Sequence, residues 1–440
     1  MKIKPAAKIS GEIYLPGDKS ISHRAAIFSA LAGGESKIEN FSTAADCAAT
    51  LECLRDLGVE IKREHSTVFI KGVGKNGFHK PEKALDCGNS GTTVRLLAGV
   101  LAGQNFKSVL TGDESLSVRP MKRIITPLEL MGAKIESENN CLPLKIHGKN
   151  PLVSIEYEMP VASAQVKSCV LLAGLNAQGI TRVQSPRTKA TNPSSRNHTE
   201  IMLKNLGAKI EEDFLADGED FIHQVSISGE SLLTARDFFV PSDISSAAFF
   251  VAASVCLKNS ELVIKNVGLN PTRTAFLDVL KRFGARIEVL NEKENGGEFI
   301  GDLHVFGKNE IKPEDNYVGG EIIANLIDEV PVLAVFGTQI SGGLEIRDAG
   351  ELRVKESDRI RAVVENLKKM NAPVEEFPDG FRVKQSALKG AKINSYGDHR
   401  IAMAFSIAAL LAVGETEIIG AESAHVSFPE FFRTLREITK

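Results

Sequence analysis

Several short runs in this chain hold more charged and hydroxylated side chains than a folded core requires, and the residue types suit the binding of small anions. DKSISHR (residues 18–24) supplies Lys19, Ser20 and Arg24, and GNSGTTVR (88–95) offers a flexible backbone around Asn89 and Gly91. DESLSVRPMKR (113–123) brings Arg119 with Lys122 and Arg123. SAQVKS (163–168) supplies Ser163, Ala164 and Gln165, and SSRNHTE (194–200) adds Arg196. LIDEVP (326–331) holds Asp328, RVKESDR (353–359) sets Lys355 beside Glu356 with Arg359 three residues on, and GDHR (397–400) ends on Arg400. Guanidinium forks take carboxylates and phosphates in bidentate fashion, and lysine adds a point charge. Carboxylates next to such cations can move protons during a reaction. Taken together, the residues point to chemistry on anionic metabolites. Glu356 and Arg359 are expected to share one helical face if a helix starts at that point.

The run around Lys19 is not a nucleotide-binding loop. That motif places a glycine directly before the lysine so that the backbone wraps the phosphates. Here Asp18 intervenes, and a carboxylate at that point repels the anion the loop should hold. No cluster with metal-ligand spacing is evident, so no metal and no cofactor are expected.

These residues need elements to hold them, and the chain supplies a repeat. The phrase LRDLGVEI at Leu54 returns as LELMGAKI at Leu128, LKNLGAKI at Leu203, LKRFGARI at Leu280 and LKKMNAPV at Leu367, at steps of 74, 75, 77 and 87 residues. Each copy reads as the last turn of an amphipathic helix, a glycine (or Asn371) in the left-handed cap position, and then a strand. Upstream of these phrases lie six apolar helices that open on polar residues. They begin at DKSISHR, GNSGTT, SAQVKS, PSDISS, LIDEVP and YGDHR. Between them run β-branched or alternating strands such as STVFIKGV, CLPLKIHG, SELVIKNV and GLEIRDA. The pattern is an α/β unit used six times. The helix bodies read as buried core, while a helix start carries unpaired N–H groups worth about 0.3–1 kcal/mol to a nearby anion. If the six units pack by pseudo-symmetry, several such starts face one site.

The bulk numbers agree with that reading and exclude others. At 440 residues, with 43% hydrophobic and 25% charged, the chain has material for two or three domains. A net charge of −3 and a pI near 6.4 give no electrostatic footprint for nucleic acid. Six cysteines without a C-x-x-C pair read as reduced thiols of a cytoplasmic protein. The N-terminal residues lack an apolar export segment, and the apolar run from Ile401 falls well short of the ~20 residues that span a bilayer. A monomer acting on small molecules is expected, with no membrane and no nucleic acid.

LPGDKSISHR, DCGNSGTTVRLLAG, GDESLSVRPM, SAQVKS, RVKESDRI and YGDHRIAMAF, in this order, resemble the 3-phosphoshikimate 1-carboxyvinyltransferase (EPSP synthase) family over essentially the whole chain. The resemblance implies transfer of the enolpyruvyl group of phosphoenolpyruvate to the 5-hydroxyl of shikimate 3-phosphate, releasing phosphate, on the route to chorismate and aromatic amino acids. It implies an α/β fold, a two-domain inverse α/β barrel in which each domain is built from three βαβαββ repeats. The domains are expected at 18–234, carrying mainly the shikimate 3-phosphate contacts, and at 1–17 with 235–440, closing on substrate. By the same resemblance Lys19, Arg119, Arg359 and Arg400 grip phosphoenolpyruvate, with Asn89, Gly91 and Gln165 close by. Lys19, Ser20, Arg24, Ser163, Gln165, Arg196, Asp328 and Lys355 hold shikimate 3-phosphate. Asp328, Glu356 and Lys19 are the expected catalytic groups, with Asp328 taking the hydroxyl proton and Glu356 serving C3 of the donor.

SAQVKS and SRNHTE look like the second bacterial class of the family, and some positions depart from the better-known branch. Ala164 replaces a common serine, Glu351 stands where asparagine is frequent, and Val426 in HVSFPEFF stands where many members have lysine. That leaves one donor contact unassigned, with Arg196 as the candidate to compensate. Gly91 leaves room where an alanine would intrude, so glyphosate is expected to bind in competition with phosphoenolpyruvate. Two alternatives stay open at this point. One is the related enolpyruvyl transferase acting on UDP-N-acetylglucosamine, which usually has a cysteine in the stretch that reads DESLSVRPM here. The other is a non-catalytic repeat scaffold.

Overall fold

The computed structural model describes residues 1–189, 195–308 and 310–439. Among them are twelve helices of eight residues or more: α1 (Lys19–Leu31), α2 (Ala45–Asp56), α3 (Gly91–Ala102), α4 (Lys122–Leu130), α5 (Ala164–Gly174), α6 (His198–Asn205), α7 (Ile244–Cys256), α8 (Ala275–Arg282), α9 (Val330–Gly337), α10 (Arg359–Lys369), α11 (His399–Leu411) and α12 (Phe431–Ile438). The odd-numbered helices are the apolar segments with polar openings. Five of the even-numbered ones end in the recurring phrase. There Gly58, Gly132, Gly207, Gly284 and Asn371 have φ of 88°, 101°, 94°, 87° and 66°. That left-handed turn costs a side chain with a Cβ about 1 kcal/mol or more and is cheapest for glycine and asparagine. It sends the chain straight into the strands Glu60–Glu64, Lys134–Glu136, Ile210–Asp217, Arg286–Asn295 and Val374–Phe377.

Each repeat has its own sheet. In four of the six repeats the strand before the odd helix pairs in parallel with the strand after it, as Leu85–Asp86 does with Lys107–Thr111 (Leu85 opposite Leu110). The second strand then pairs antiparallel with the last of the repeat, Leu144–His147, whose other neighbour is Lys134–Glu136. Five of the sheets have these four strands. The sixth has three, because no strand follows α12 among the described residues. Lys392–Asn394 and Thr416–Ile419 are completed there by Lys2–Ile3, with Ile3 opposite Thr416. This is why the phrase recurs five times and not six.

Besides Lys2–Ile3, two strands lie far from their partners in sequence, and they set where the chain divides. Ser10–Tyr14 runs parallel to Glu261–Gly268, with Ile13 opposite Ile264, and Phe238–Phe239 runs parallel to Gly33–Glu39, with Phe238 opposite Ile38. One unit therefore comprises Met1–Pro16, Pro241–Glu294 and Phe299–Lys440, and the other Gly17–Val240 with Asn295–Glu298. The sequence reading placed the second crossover at 235. It falls at 240 because Phe238 is bound into the first sheet.

Each unit has its own apolar core. α1, α7 and α11 are buried along nearly their whole length, which accounts for their weak amphipathicity. Phe249 and Phe250 of α7 pack edge-on against Phe428 and Phe431. Truncating either to alanine costs on the order of 3–5 kcal/mol. No helix among the described residues is long and apolar enough to cross a membrane. The six cysteines are free thiols, and no group among the described residues could hold a metal ion.

Candidate active site

In the unit built on Gly17–Val240, three helix starts are tied together by side-chain hydrogen bonds. Asp18 opens α1, its Oδ1 accepting from the Ile21 N–H at 2.9 Å. The carboxylate that spoils a phosphate loop is thus a cap, worth about 1 kcal/mol. Ser90 opens α3, accepting from the Thr93 N–H at 3.1 Å, and Ser163 opens α5, accepting from the Val166 N–H at 3.4 Å. Gln165 joins α5 to α3: its Oε1 accepts from Arg95 Nη1 at 2.7 Å and its Nε2 donates to Thr92 Oγ1 at 2.9 Å. Arg24 joins α1 to α5 and α6. Its Nη2 donates to Ser168 Oγ at 2.9 Å, its Nε to Thr199 Oγ1 at 2.7 Å and its Nη1 to the Ser20 carbonyl at 3.0 Å.

Around these starts stand the other basic groups. Lys19 Nζ donates to Asp46 Oδ2 at 2.8 Å while its side chain stays 22% exposed. Arg119 Nη2 donates to Asn89 Oδ1 at 2.9 Å, and Asn89 Nδ2 donates in turn to Asp113 Oδ2 at 2.7 Å. Gly91 is the first residue of α3, and a methyl there would lie 2.6 Å from Arg95 Nη1 and 3.7 Å from Arg119 Nη1. Glycine thus keeps the helix start open beside two guanidinium groups. Ala164 is the first residue of α5. Arg196 is partly buried just ahead of α6. Within the same unit His198 Nδ1 is 2.6 Å from Glu298 Oε1, and Lys167 pairs with Glu200, both pairs almost wholly buried.

Behind the openings runs a buried hydroxyl chain. His23 Nδ1 is 2.7 Å from Thr50 Oγ1, which is 2.7 Å from Thr93 Oγ1, and Thr93 donates to Ser90 Oγ at 2.7 Å. Because Thr93 gives its hydrogen to Ser90, Thr50 donates to Thr93 and the His23 Nδ1–H donates to Thr50. Burial pushes the His23 pKa down to about 3, with Asp46 opposing. The folded protein therefore holds this imidazole neutral, while the unfolded chain protonates it below about pH 6.5. The stability it confers is whole above that pH and is lost as the pH falls toward 3. Between pH 6.5 and 4 this loss amounts to up to about 3 kcal/mol. His23→Asn is expected to flatten the fall of Tm over that interval, and parallel Tm–pH curves for variant and parent would refute the assignment.

The second unit gathers its own helix starts. Asp243 opens α7, its Oδ1 accepting from the Ser245 N–H at 2.8 Å, and Asp398 opens α11, its Oδ1 accepting from the Arg400 N–H at 2.8 Å. Asp328 and Glu329 immediately precede α9. Arg359 lies among three carboxylates. Its Nε donates to Asp398 Oδ2 at 2.8 Å, its Nη2 to Glu356 Oε2 at 2.5 Å, and its Nη1 is 3.5 Å from Asp328 Oδ1. Burial works against its charge, and Asp398, Glu356 and Asp328 outweigh it, so its pKa is raised.

Arg400 is different. It is 9% exposed, and its guanidinium makes no hydrogen bond to the described residues. Asp328 Oδ2 lies 3.7 Å from Nη2 and Glu329 Oε1 3.7 Å from Nη1, both beyond hydrogen-bond reach. Lys355, partly exposed, is 4.0 Å from Glu351 Oε2. Loss of water around it pushes its pKa down, with Asp328 opposing and Arg359 adding to the shift.

One expectation is corrected. α10 begins at Arg359, not before Glu356, because Asp358 caps it by accepting from the Arg361 N–H at 3.0 Å. Glu356 reaches Arg359 from the bend ahead of the helix. The candidate residues fall into two groups. Lys19, Ser20, Arg24, Asn89, Gly91, Arg119, Ser163, Ala164, Gln165 and Arg196 surround the helix starts of the first unit, and Asp328, Lys355, Glu356, Arg359 and Arg400 those of the second. Sequence reasoning missed Asp46, Glu329 and Arg273, saw in Ser245 only a polar residue of a helix opening, and gave Arg95 no place in the site. Arg95 had a visible signal, since it stands one turn into an opening already marked by GNSGTT.

Comparison with known proteins places the geometry in context. The family described as EPSP synthase (3-phosphoshikimate 1-carboxyvinyltransferase) matches residues 3–435. A protein of Solibacter usitatus named 3-phosphoshikimate 1-carboxyvinyltransferase is 48% identical, over 100% of this chain and 99% of its own length. One of the same name from Bacillus subtilis is 46% identical, over 100% of both. A solved structure of an EPSP synthase from Acinetobacter baumannii superposes with a TM-score of 0.85 at 40% identity, covering 100% of this chain and 98% of that one. The enolpyruvyl transferase NikO from Streptomyces tendae, 18% identical, has the same fold, with a TM-score of 0.77 over 99% of this chain and 96% of that one.

Proposed function

We propose, for a chain that belongs to the EPSP synthase family, that it transfers the enolpyruvyl group of phosphoenolpyruvate to the 5-hydroxyl of shikimate 3-phosphate and releases phosphate. The observation that carries this reading is Arg400, a buried guanidinium whose donors the described residues leave unspent. A buried arginine in that condition suits an anionic ligand that completes it. Phosphoenolpyruvate is taken by Lys19 and Arg119, with Asn89, Gly91 and Gln165 beside them, and by Arg359 and Arg400. Shikimate 3-phosphate is held mainly by the Gly17–Val240 unit, through Lys19, Ser20, Arg24, Ser163, Gln165 and Arg196, with Asp328 and Lys355 from the second unit.

The reaction is an addition followed by an elimination. Asp328 accepts the proton of the attacking hydroxyl as its oxygen bonds to C2 of the donor, and Glu356 gives a proton to C3. The tetrahedral adduct then breaks its C2–O bond to phosphate and returns the C3 proton to Glu356, while Asp328 passes its proton to the departing phosphate. Lys19 and Lys355 neutralise charge that builds on the donor's oxygens. The protein works in the cytoplasm as a monomer without cofactor.

Phosphate release from phosphoenolpyruvate is the test. Release that depends on shikimate 3-phosphate is expected. Release that depends on UDP-N-acetylglucosamine, or none with either acceptor, overturns the reading. Glyphosate is expected to compete with phosphoenolpyruvate in this assay. Lys355 adds a pH signature. Its lowered pKa means the ammonium is lost on the alkaline side before an ordinary lysine would lose it, so activity falls there. Lys355→Arg is expected to move that limb to higher pH, and an unmoved limb would assign it to another group.

A further inference from the structure

We propose that Glu329 is a positioning residue, which together with Ser245 and Arg273 holds the guanidinium of Arg400 ready for the donor's anionic groups. The proposal rests on the assignment of Arg400 to phosphoenolpyruvate. Glu329, Ser245 and Arg273 are all buried, in a chain that no substrate contact assigned above explains. The Ser245 hydroxyl donates to Glu329 Oε1, and Arg273 Nη2 donates to Ser245 Oγ at 2.7 Å. Arg273 Nη2 also lies 3.8 Å from Asp243, the residue that caps α7 through the Ser245 N–H. The far end of this chain is therefore fixed to a helix start, and its near end faces Arg400 Nη1 at 3.7 Å.

That spacing is what a waiting cation needs. Attraction at 3.7 Å orients the guanidinium without consuming its N–H groups, which remain for a ligand. Glu329 also relieves Asp328. Asp328 already faces Arg359 Nη1 at 3.5 Å as well as Arg400 Nη2 at 3.7 Å, and it is the group assigned to take up the hydroxyl proton. When it becomes neutral, Arg400 still has a buried counter-charge in Glu329, so the arginine is not left unpaired within the turnover.

Kinetics on the full-length protein test this, with phosphoenolpyruvate and shikimate 3-phosphate varied separately. Glu329→Gln is expected to raise KM for phosphoenolpyruvate about tenfold, within the range of coupling inside one charge network, and to leave KM for shikimate 3-phosphate within about twofold. Ser245→Ala is expected to act in the same direction and Ser245→Thr to restore the parent value. This second pair also carries the test if Glu329→Gln does not fold. Combined with Arg400→Lys, Glu329→Gln is expected to add little, because its effect runs through Arg400. An unchanged KM for phosphoenolpyruvate, an equal rise in both KM values, or a rise that multiplies with that of Arg400→Lys overturns the proposal. If Arg400→Lys alone leaves KM for phosphoenolpyruvate unmoved, the donor assignment falls first and the role of Glu329 with it.

Discussion

Asp328→Asn is expected to lower kcat by about 10²- to 10⁴-fold, the usual contribution of a positioned base. Asparagine keeps the shape and still faces the guanidinium groups of Arg359 and Arg400, but it cannot take the hydroxyl proton. Both KM values should change far less than kcat, because the cations assigned to the anions remain. The aspartate is suited to the role by its setting: it lies 3.5 Å and 3.7 Å from two arginines and keeps 19% of its side chain exposed. It thus faces two cations and is reachable by a substrate. Glu356→Gln gives the companion measurement, by exchange of the C3 hydrogens of the donor with solvent. Near-normal turnover in Asp328→Asn, with loss of turnover in Glu356→Gln, would hand the base role to Glu356.

An effect on stability as large as that of truncating a core phenylalanine is expected at Arg359. Its side chain is 2% exposed and Asp398 is 0% exposed, so Arg359→Met leaves Asp398, Glu356 and Asp328 crowded without their common cation. Breaking a buried ionic cluster from one side costs on the order of 3–5 kcal/mol. For a unit of this size that corresponds to a fall in Tm of roughly 10 °C. The sign with pH follows from linkage. Without the arginine, protonating the carboxylates relieves their repulsion, so the gap between variant and parent should narrow as pH falls. Thermal unfolding at two pH values decides it. A shift below 2 °C, or a gap that widens in acid, would mean the cluster is not held by Arg359.

Local geometry was legible in the sequence and long-range pairing was not. The five left-handed turns at Gly58, Gly132, Gly207, Gly284 and Asn371 could be read because a helix end is decided by a few adjacent residues. The pairing of Ile13 with Ile264 leaves no such mark, since a strand of alternating residues fits many partners. The same limit applies within the candidate site. Arg24, Arg359 and Arg400 all stand in conspicuous motifs. Only the packed structure separates two whose donors are occupied inside the protein from one whose donors are kept back. Glu329 was overlooked because a glutamate before V-P reads as an ordinary polar helix start. Its significance lies in Ser245 and Arg273, which are distant along the chain. Lys167 and Glu200 are the opposite case, polar by type yet sealed in the interior as a pair.

The strand exchange between the first and fourth repeats also has a consequence for biosynthesis. Apart from one hairpin tip, residues 17–240 contain every strand their sheets use, so this part can close while the ribosome is still adding the rest. The other unit cannot. Ser10–Tyr14 leaves the exit tunnel early and then waits for Glu261–Gly268, and Lys2–Ile3 waits for Thr416–Ile419, among the last strands to be translated. The segment made first is thus locked in last, and until then its unpaired strand edges are where a nascent chain of this protein is most exposed to misassembly.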